Sequence, residues 1–275
     1  MPIWDYLFLL PLGLIAGACG GLLGIGGSVV MIPAMALMFG SDRQHLYQAT
    51  AMIVNFFVVA PAVIRHLQAR ATIRSVTRIM IPSAIAGAIV GVRLSEMPVF
   101  RGTGQGYLQI AFAVFLAYVF ADNLMKLKGG PHRGGGPALD ADGKPNPFAV
   151  ILVGLPTGLL GGLLGIGGGL FAVPAQQVCL RLPLPNAIAN SAATILWSSV
   201  VGAVLKNAGL AAHAHTWSQS VLMAACLIPT AMVGSWFAAG KVHRWPVGVI
   251  RVFFALLLAY CSVRLFLMGW GQLSI

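Results

Sequence analysis

GACGGLLGIGGSVVMIP, residues 17–33, returns as GLLGGLLGIGGGLFAVP, residues 158–174, with ten of the seventeen positions identical. Glycine this dense is unusual inside apolar sequence. Each glycine in a helix interior costs roughly 1 kcal/mol relative to alanine, and adjacent pairs favour an irregular turn. Gly165 lies 141 residues after Gly24, so the chain reads as a duplication of a unit about half its length. The match continues outward from the motif. Thr50 stands opposite Ser191, Ile81-Pro82-Ser83 through Gly87 opposite Ile228-Pro229-Thr230 through Gly234, and FAVFLAY at 112–118 answers FALLLAY at 254–260.

Composition places both copies in a membrane. Of 275 residues 58% are apolar and 8% charged, against roughly 25% charged in a soluble domain, and the mean hydropathy is +0.87. Most segments must therefore find an apolar solvent outside the protein. The net charge of +11 comes from 17 Lys plus Arg against 6 acids. These basic residues cluster in short gaps between apolar runs, as in the cytoplasmic loops of polytopic proteins, which argues against nucleic acid as a partner. Cys19, Cys179, Cys226 and Cys261 stand singly without C-x-x-C spacing and read as small packing residues, not as a disulfide framework or a zinc site. The first apolar stretch, 3–24, has no basic segment before it and reads as a retained membrane segment.

Apolar runs fall at 4–23, 28–39, 46–67, 76–97 and 105–125, and again at 147–164, 169–181, 187–208, 217–240 and 246–268. At about 1.5 Å per residue a helix needs about 20 residues to cross a bilayer core. The runs at 28–39 and 169–181 are too short and predict half-helices or re-entrant segments. The stretch KGGPHRGGGPALDADGKPNP, 128–147, mixes Gly, Pro and charge and predicts a flexible cytoplasmic linker between a first membrane repeat, 1–127, and a second, 148–275. Arg65, Arg70, Arg74 and Arg78 mark the gap between the third and fourth runs as cytoplasmic, whereas the equivalent gap of the second half has only Lys206 with His213 and His215. Five elements per half, an odd number, turn the second copy upside down. The expected fold is an all-α polytopic membrane bundle of two inverted repeats with broken, re-entrant half-helices.

Unwound backbone at membrane depth survives only where it is buried in protein or faces a wet cavity. Short helices starting at Ser28 and Gly169 would aim N–H groups and a positive dipole end into such a cavity, an anion site without a charged side chain. The candidate binding groups are therefore the backbone at Gly26, Gly27, Ser28, Gly167, Gly168 and Gly169. Polar side chains of the following helices add neutral donors: Gln48, Thr50 and Asn55 in one half, Asn190, Ser191 and Thr194 in the other, and Gln176 and Gln177 after Pro174. Thr50 and Ser191 lead because they match across the repeat. The competing reading is close packing, since Gly17, Gly21 and Gly24, or Gly158, Gly162 and Gly165, also let helices approach. Arg93 and Glu96 predict an ion pair on one helix, and Arg93, Arg251, His45 and His66 read first as interfacial groups.

The acids are Asp5, Asp42, Glu96, Asp122, Asp140 and Asp142, none central in an apolar run. A cation transporter or a carboxylate proton relay has no candidate here. G-x-S-x-G, H-E-x-x-H and P-loop patterns are absent, so hydrolysis and ATP-driven pumping have no visible machinery, and no metal or cofactor is expected.

The doubled GGLLGIGG followed by a proline, at Gly20 to Pro33 and Gly161 to Pro174, resembles the hallmark of the TauE/SafE family of probable membrane transporters, also called the toluene sulfonate uptake permease family. The resemblance covers nearly the whole chain except the linker. It implies a multi-pass permease of the prokaryotic inner membrane whose substrates are sulfite, sulfoacetate or other organosulfonates. It maps onto the two glycine loops and onto Thr50 and Ser191; Ala49 departs from it, standing where a glycine often precedes the threonine. The expected function is secondary transport of a small sulfur-containing anion by alternating access, and the chain is not expected to be an enzyme. Its expected partners are the lipid bilayer and a small anion, with a homodimer left open. The alternatives are a non-transporting membrane scaffold and a thiol enzyme using Cys19 or Cys179.

Overall fold

The computed structural model describes residues 3–23, 26–128, 145–241 and 247–274. Residues 129–144, the greater part of the expected linker, lie outside them, as do Gly24 and Ile25 of the first glycine motif. Ten α-helices carry the described chain: α1 (Ile3–Leu23), α2 (Ser28–Phe39), α3 (Gln44–Gln68), α4 (Arg74–Ser95), α5 (Gln105–Lys128), α6 (Pro147–Leu164), α7 (Gly169–Cys179), α8 (Leu184–Gly209), α9 (Trp217–Lys241) and α10 (Val247–Leu273). The protein is all-helical among the described residues. The six helices α3, α4, α5, α6, α8 and α9 are long and apolar enough to cross a membrane, whereas α2 is a shorter apolar helix.

Local chemistry sets the breaks. α6 starts on Pro147 with the Asn146 side chain accepting from the Phe148 N–H at 3.0 Å, an N-cap whose oxygen satisfies a first-turn donor. It stops where Gly165 turns left-handed, φ +75°, the conformation that ends many helices on glycine. The short runs expected at 28–39 and 169–181 form α2 and α7, with Pro33 and Pro174 inside them. Each proline sits in the second turn of its helix, where it removes a single ladder bond.

The two halves interlock through equivalent contacts. α1 packs along α9 of the other half, and α6 packs along α4. A Cβ on Gly17 would strike the Ala231 backbone and one on Gly21 the Ser235 backbone; in the other half, a Cβ on Gly158 would strike the Ala84 backbone and one on Gly162 the Ala88 backbone. These two pairings run parallel. The other two are antiparallel: Gln48 and Met52 of α3 meet Lys206 and Gly202 of α8, while Gly106 and Ala113 of α5 meet Gly269 and Ser262 of α10. Small residues permit this backbone-to-backbone approach, which is how helices associate where no hydrophobic force separates helix from lipid. One buried core, from Leu9 and Met31 through Phe112 to Leu227 and Leu265, draws on both halves.

Because these glycines touch backbone that cannot step aside, Gly17→Val and Gly158→Val are each expected to lose most of the monodisperse protein in size-exclusion chromatography, since overpacking of this kind costs about 1–3 kcal/mol or more. Gly271→Ala, with nothing within 4 Å of the added carbon, is expected to elute as the parent does. A normal elution of both valine variants would refute the close-packing account.

Candidate functional site

The glycines of the repeated motif divide into two sets. Gly17, Gly21, Gly158 and Gly162 face the partner helix of the other half, as the packing reading expects. Gly26, Gly165, Gly167 and Gly168 instead take positive φ of +79°, +75°, +71° and +81°, which side chains other than glycine rarely tolerate. Gly20 and Gly161 join the sets. A Cβ on Gly20 would lie 2.9 Å from the Gly27 nitrogen, and one on Gly161 would lie 2.8 Å from the Gly168 nitrogen. Each lets its loop fold back onto the helix that precedes it. The copies differ at one position, since Gly27 holds φ −84° where Gly168 is left-handed.

The two loops meet at Asn55, eleven residues into α3. Asn55 Oδ1 accepts from the Ser28 N–H at 3.2 Å, and Asn55 Nδ2 donates to Ser28 Oγ at 3.0 Å. The Ser28 hydroxyl in turn donates to the Ile166 carbonyl in the second loop at 3.0 Å. A Cβ on Gly167 would come within 3.1 Å of Asn55 Nδ2, and one on Gly26 within 2.9 Å of its Oδ1. One fully buried amide and one fully buried hydroxyl thus stitch together two helix breaks about 140 residues apart in sequence. The positive ends of α2 and α7 start beside this junction.

The remaining candidates lie on different interfaces and are fully buried except Gln177, which is half-buried. Gln48 packs its carbons against Gly165 and accepts from Lys206. Thr50 Oγ1 donates to Ser220 of α9 at 3.5 Å, and the hydroxyl of Ser191, its repeat counterpart, has no partner. Asn190 Oδ1 accepts from the Ile73 N–H at 2.8 Å and so clasps the turn between α3 and α4. Thr194 Oγ1 bonds its own helix at the Asn190 carbonyl, and Gln176 Nε2 bonds the Ala172 and Ala187 carbonyls. The structure therefore brings Gly26, Ser28, Asn55 and Gly167 together, with Gln48 beside the second loop. Thr50, Asn190, Ser191, Thr194 and Gln176 stand apart from that junction.

Sequence reasoning missed Lys206. Counted there with His213 and His215 as part of a gap between membrane runs, it lies inside α8, 3% exposed. Its Nζ donates to Gln48 Oε1 at 2.5 Å and to Ser95 Oγ at 2.6 Å. An ammonium buried among protein in a membrane helix is costly to desolvate, and such groups mark function by default. The signal available in the sequence was a single lysine on an otherwise uncharged 26-residue helix. His45, expected at the interface, is 2% exposed; its ring stacks on His213 with centroids 3.6 Å apart, and its Nε2 meets the Phe100 carbonyl at 3.0 Å. The expected Arg93–Glu96 pair forms at 4.0 Å. Among the described residues no group of three or more His, Cys, Asp or Glu side chains converges on a metal position. The four cysteines are free thiols, Cys19 and Cys261 buried and Cys179 exposed.

An all-helical bundle with six helices long and apolar enough to cross a membrane, and with a helix break in each half that meets the other at Asn55 and Ser28, defines a class of multi-pass helical membrane protein with an internal polar junction. The sulfite exporter TauE/SafE family model matches residues 9–265, and the chain belongs to that family. It is 31% identical over 96% of its length to the probable membrane transporter protein MamO of Magnetospirillum gryphiswaldense, and spans 45% of that protein. It is 27% identical to the probable membrane transporter protein YunE of Bacillus subtilis, over 86% of this chain and 87% of YunE. To the probable membrane transporter protein MJ0441 of Methanocaldococcus jannaschii it is 28% identical over 73% of each chain. The chain thus spans less than half the length of MamO and most of the length of YunE. No solved structure matches it.

Removing the junction amide strands the buried N–H of Ser28 and takes a donor from its hydroxyl, the group that holds the second loop. Asn55→Ala is expected to destabilise the purified protein by about 1–3 kcal/mol per orphaned group, read as a lowered thermal midpoint, whereas Thr194→Ala, which removes a bond within one helix, should cost less. Equal losses in the two variants would mean that the junction carries no special share of the stability.

Proposed function

We propose that the chain is a secondary transporter of small sulfur-containing anions, sulfite or organosulfonates such as sulfoacetate, working by alternating access in the inner membrane of a prokaryote. The observation that carries this reading is the convergence of both glycine loops on Asn55. The anion would sit where the N-termini of α2 and α7 approach each other, held by backbone N–H groups at Gly26, Gly27, Ser28, Gly167, Gly168 and Gly169. Dipole ends and neutral amides gather negative charge at low desolvation cost. The family description as a sulfite exporter supports this choice of substrate class, and the names of the relatives support transport.

The repeats would be inverted, a reading supported by the antiparallel pairing of α3 with α8 and of α5 with α10. Rocking of one repeat against the other would then expose the junction to each side in turn. The residues at 128–147 would serve as the linker between the repeats. A static scaffold in which glycines only pack helices accounts for Gly17, Gly21, Gly158 and Gly162. It leaves the left-handed turns at Gly26 and Gly167 without a purpose, because a continuous helix would have been cheaper.

Reconstituted into proteoliposomes, the full chain is expected to give saturable, gradient-driven flux of radiolabelled sulfite or sulfoacetate. Ser28→Ala, a smaller change than any at the glycines, should slow this flux about tenfold or more, the worth of one hydrogen bond to a charged group. Absence of saturable flux for both anions, or full rates in a Gly27→Leu/Gly168→Leu double variant, would overturn the proposal.

A further inference from the structure

The buried ammonium of Lys206 is not used by the glycine junction, and its surroundings are unusual. Its two partners, Gln48 Oε1 and Ser95 Oγ, are neutral. The two ion pairs among the described residues, Arg43–Asp42 and Arg93–Glu96, leave it out. Glu96, just past the end of α4, is near enough for its charge to act on Lys206 but forms no ion pair with it: its Oε1 lies against Gly209 and its Oε2 pairs with Arg93 at 4.0 Å. A buried charge without a counter-charge is the costly half of an ion pair.

Several buried polar atoms around it have no protein partner. An ammonium carries three N–H groups, and two of those of Lys206 are engaged. The Gln48 amide spends its oxygen on Lys206, leaving its Nε2 buried without a partner; both amide atoms of Gln44, one turn earlier on α3, and the Nε2 of His213, stacked on His45, are also unpartnered. An ammonium with one N–H unspent beside the unpartnered Nε2 of Gln48 is complementary to an oxyanion. A divalent metal would instead meet a like charge.

We infer that Lys206, Gln48 and Ser95 form a second anion site, toward the end of α3 opposite the arginine-rich turn, in which a small sulfur oxyanion supplies the missing counter-charge. The inference rests on the anion-transport reading for the class of its ligand. Its link to the glycine junction is mechanical. Gln48 carries Gly165 on its side-chain carbons, with a Cβ on that glycine falling 2.6 Å from Gln48 Cβ, so a Gln48 drawn onto an anion must move against the second loop. The other titratable groups facing the site are His45 on α3, Glu96 at the end of α4, His213 in the turn after α8, and Arg101 on the loop that caps them, its Nη2 donating to the Glu96 carbonyl at 3.4 Å. Beyond α8, burial and then the charge of Arg43 hold the His215 imidazole below its ordinary range, so it adds no strong competing cation.

The test is thermal unfolding of the purified full chain in sodium sulfite or sodium methanesulfonate against sodium chloride at matched ionic strength. Wild type should show a saturable rise in midpoint. Lys206→Met should weaken the apparent sulfite affinity by about tenfold or more, while Lys206→Arg keeps part of the response. In chloride alone Lys206→Met should unfold at or above the wild-type temperature, because an unpaired buried charge is gone. A wild-type response that survives Lys206→Met intact but is lost in Ser28→Ala overturns this site and keeps the junction as the binding site. No wild-type response to either anion overturns both. Should Lys206→Met fail to fold, Gln48→Leu retains the charge and removes the amide, and an unchanged sulfite response in that variant overturns the site equally.

Discussion

Backbone that leaves a helix inside a bilayer has no water to bond, so every break must be satisfied by protein. This chain contains two such breaks and ties them together through one pair of side chains, Asn55 and Ser28. Asn55 fits the task because an amide offers an acceptor to the Ser28 N–H and a donor to its hydroxyl at once, leaving that hydroxyl free to hold the Ile166 carbonyl of the other loop. A carboxylate could only accept, and an aliphatic residue could do neither. The rest of the architecture follows from bringing the loops to that point. α2 and α7 are short because they begin there, and α1 and α6 end there because they must deliver the chain to it.

Delivery requires glycine for two separate physical reasons, which the repeated motif combines in seventeen residues. Gly17 and Gly21, with Gly158 and Gly162, are small so that α1 and α6 can lie against α9 and α4 at backbone contact. Gly26, Gly165, Gly167 and Gly168 are achiral so that the chain can turn left-handed. Alanine would fail both purposes, because its Cβ would strike the facing backbone in the first set and be strained by the left-handed turn in the second. A motif read as packing or as hinge therefore poses a false choice, since the close-packed frame holds the hinges in register.

Much of this was legible before any coordinates. The offset of 141 residues fixed the repeat, and the length of each apolar run separated spanning helices from half-helices, because hydrophobic thickness is a physical ruler. The glycine loops announced themselves by composition. The tertiary roles of single polar side chains were not legible. Thr50 and Ser191 looked special because they match across the repeat, yet Asn55, whose counterpart by offset is Leu196, makes the junction. Matching across a repeat selects residues that do the same thing twice, and a residue near the meeting point of the two halves acts once for both. Lys206 escaped for another reason. Three residues from the end of its helix it looked free to snorkel outward, but its stem turns inward to acceptors on α3 and α4 that only the fold places there.

The departures from symmetry share a physical cause. Where antiparallel α3 and α8 pack together, side chains of the two halves compete for one volume, so a second asparagine there would displace Asn55 from the loops. Ile195 of α8 takes that space, 3.0 Å from the Cβ position of Gly167. Further from the crossing the copies are free to differ for chemical reasons. Lys206 is buried against Gln48, whereas Arg65, its counterpart by offset, lies 4.3 Å over the Trp236 ring at the opposite end of the bundle. The aromatic face there is satisfied by a cation and asks nothing of a ligand, while the neutral amide and hydroxyl at Lys206 leave a charge to be answered. A duplicated scaffold thus becomes polarised without any change of fold. The frame of glycine contacts stays equivalent in both halves, and the electrostatic difference between its two ends rests on a few side chains that the frame does not need.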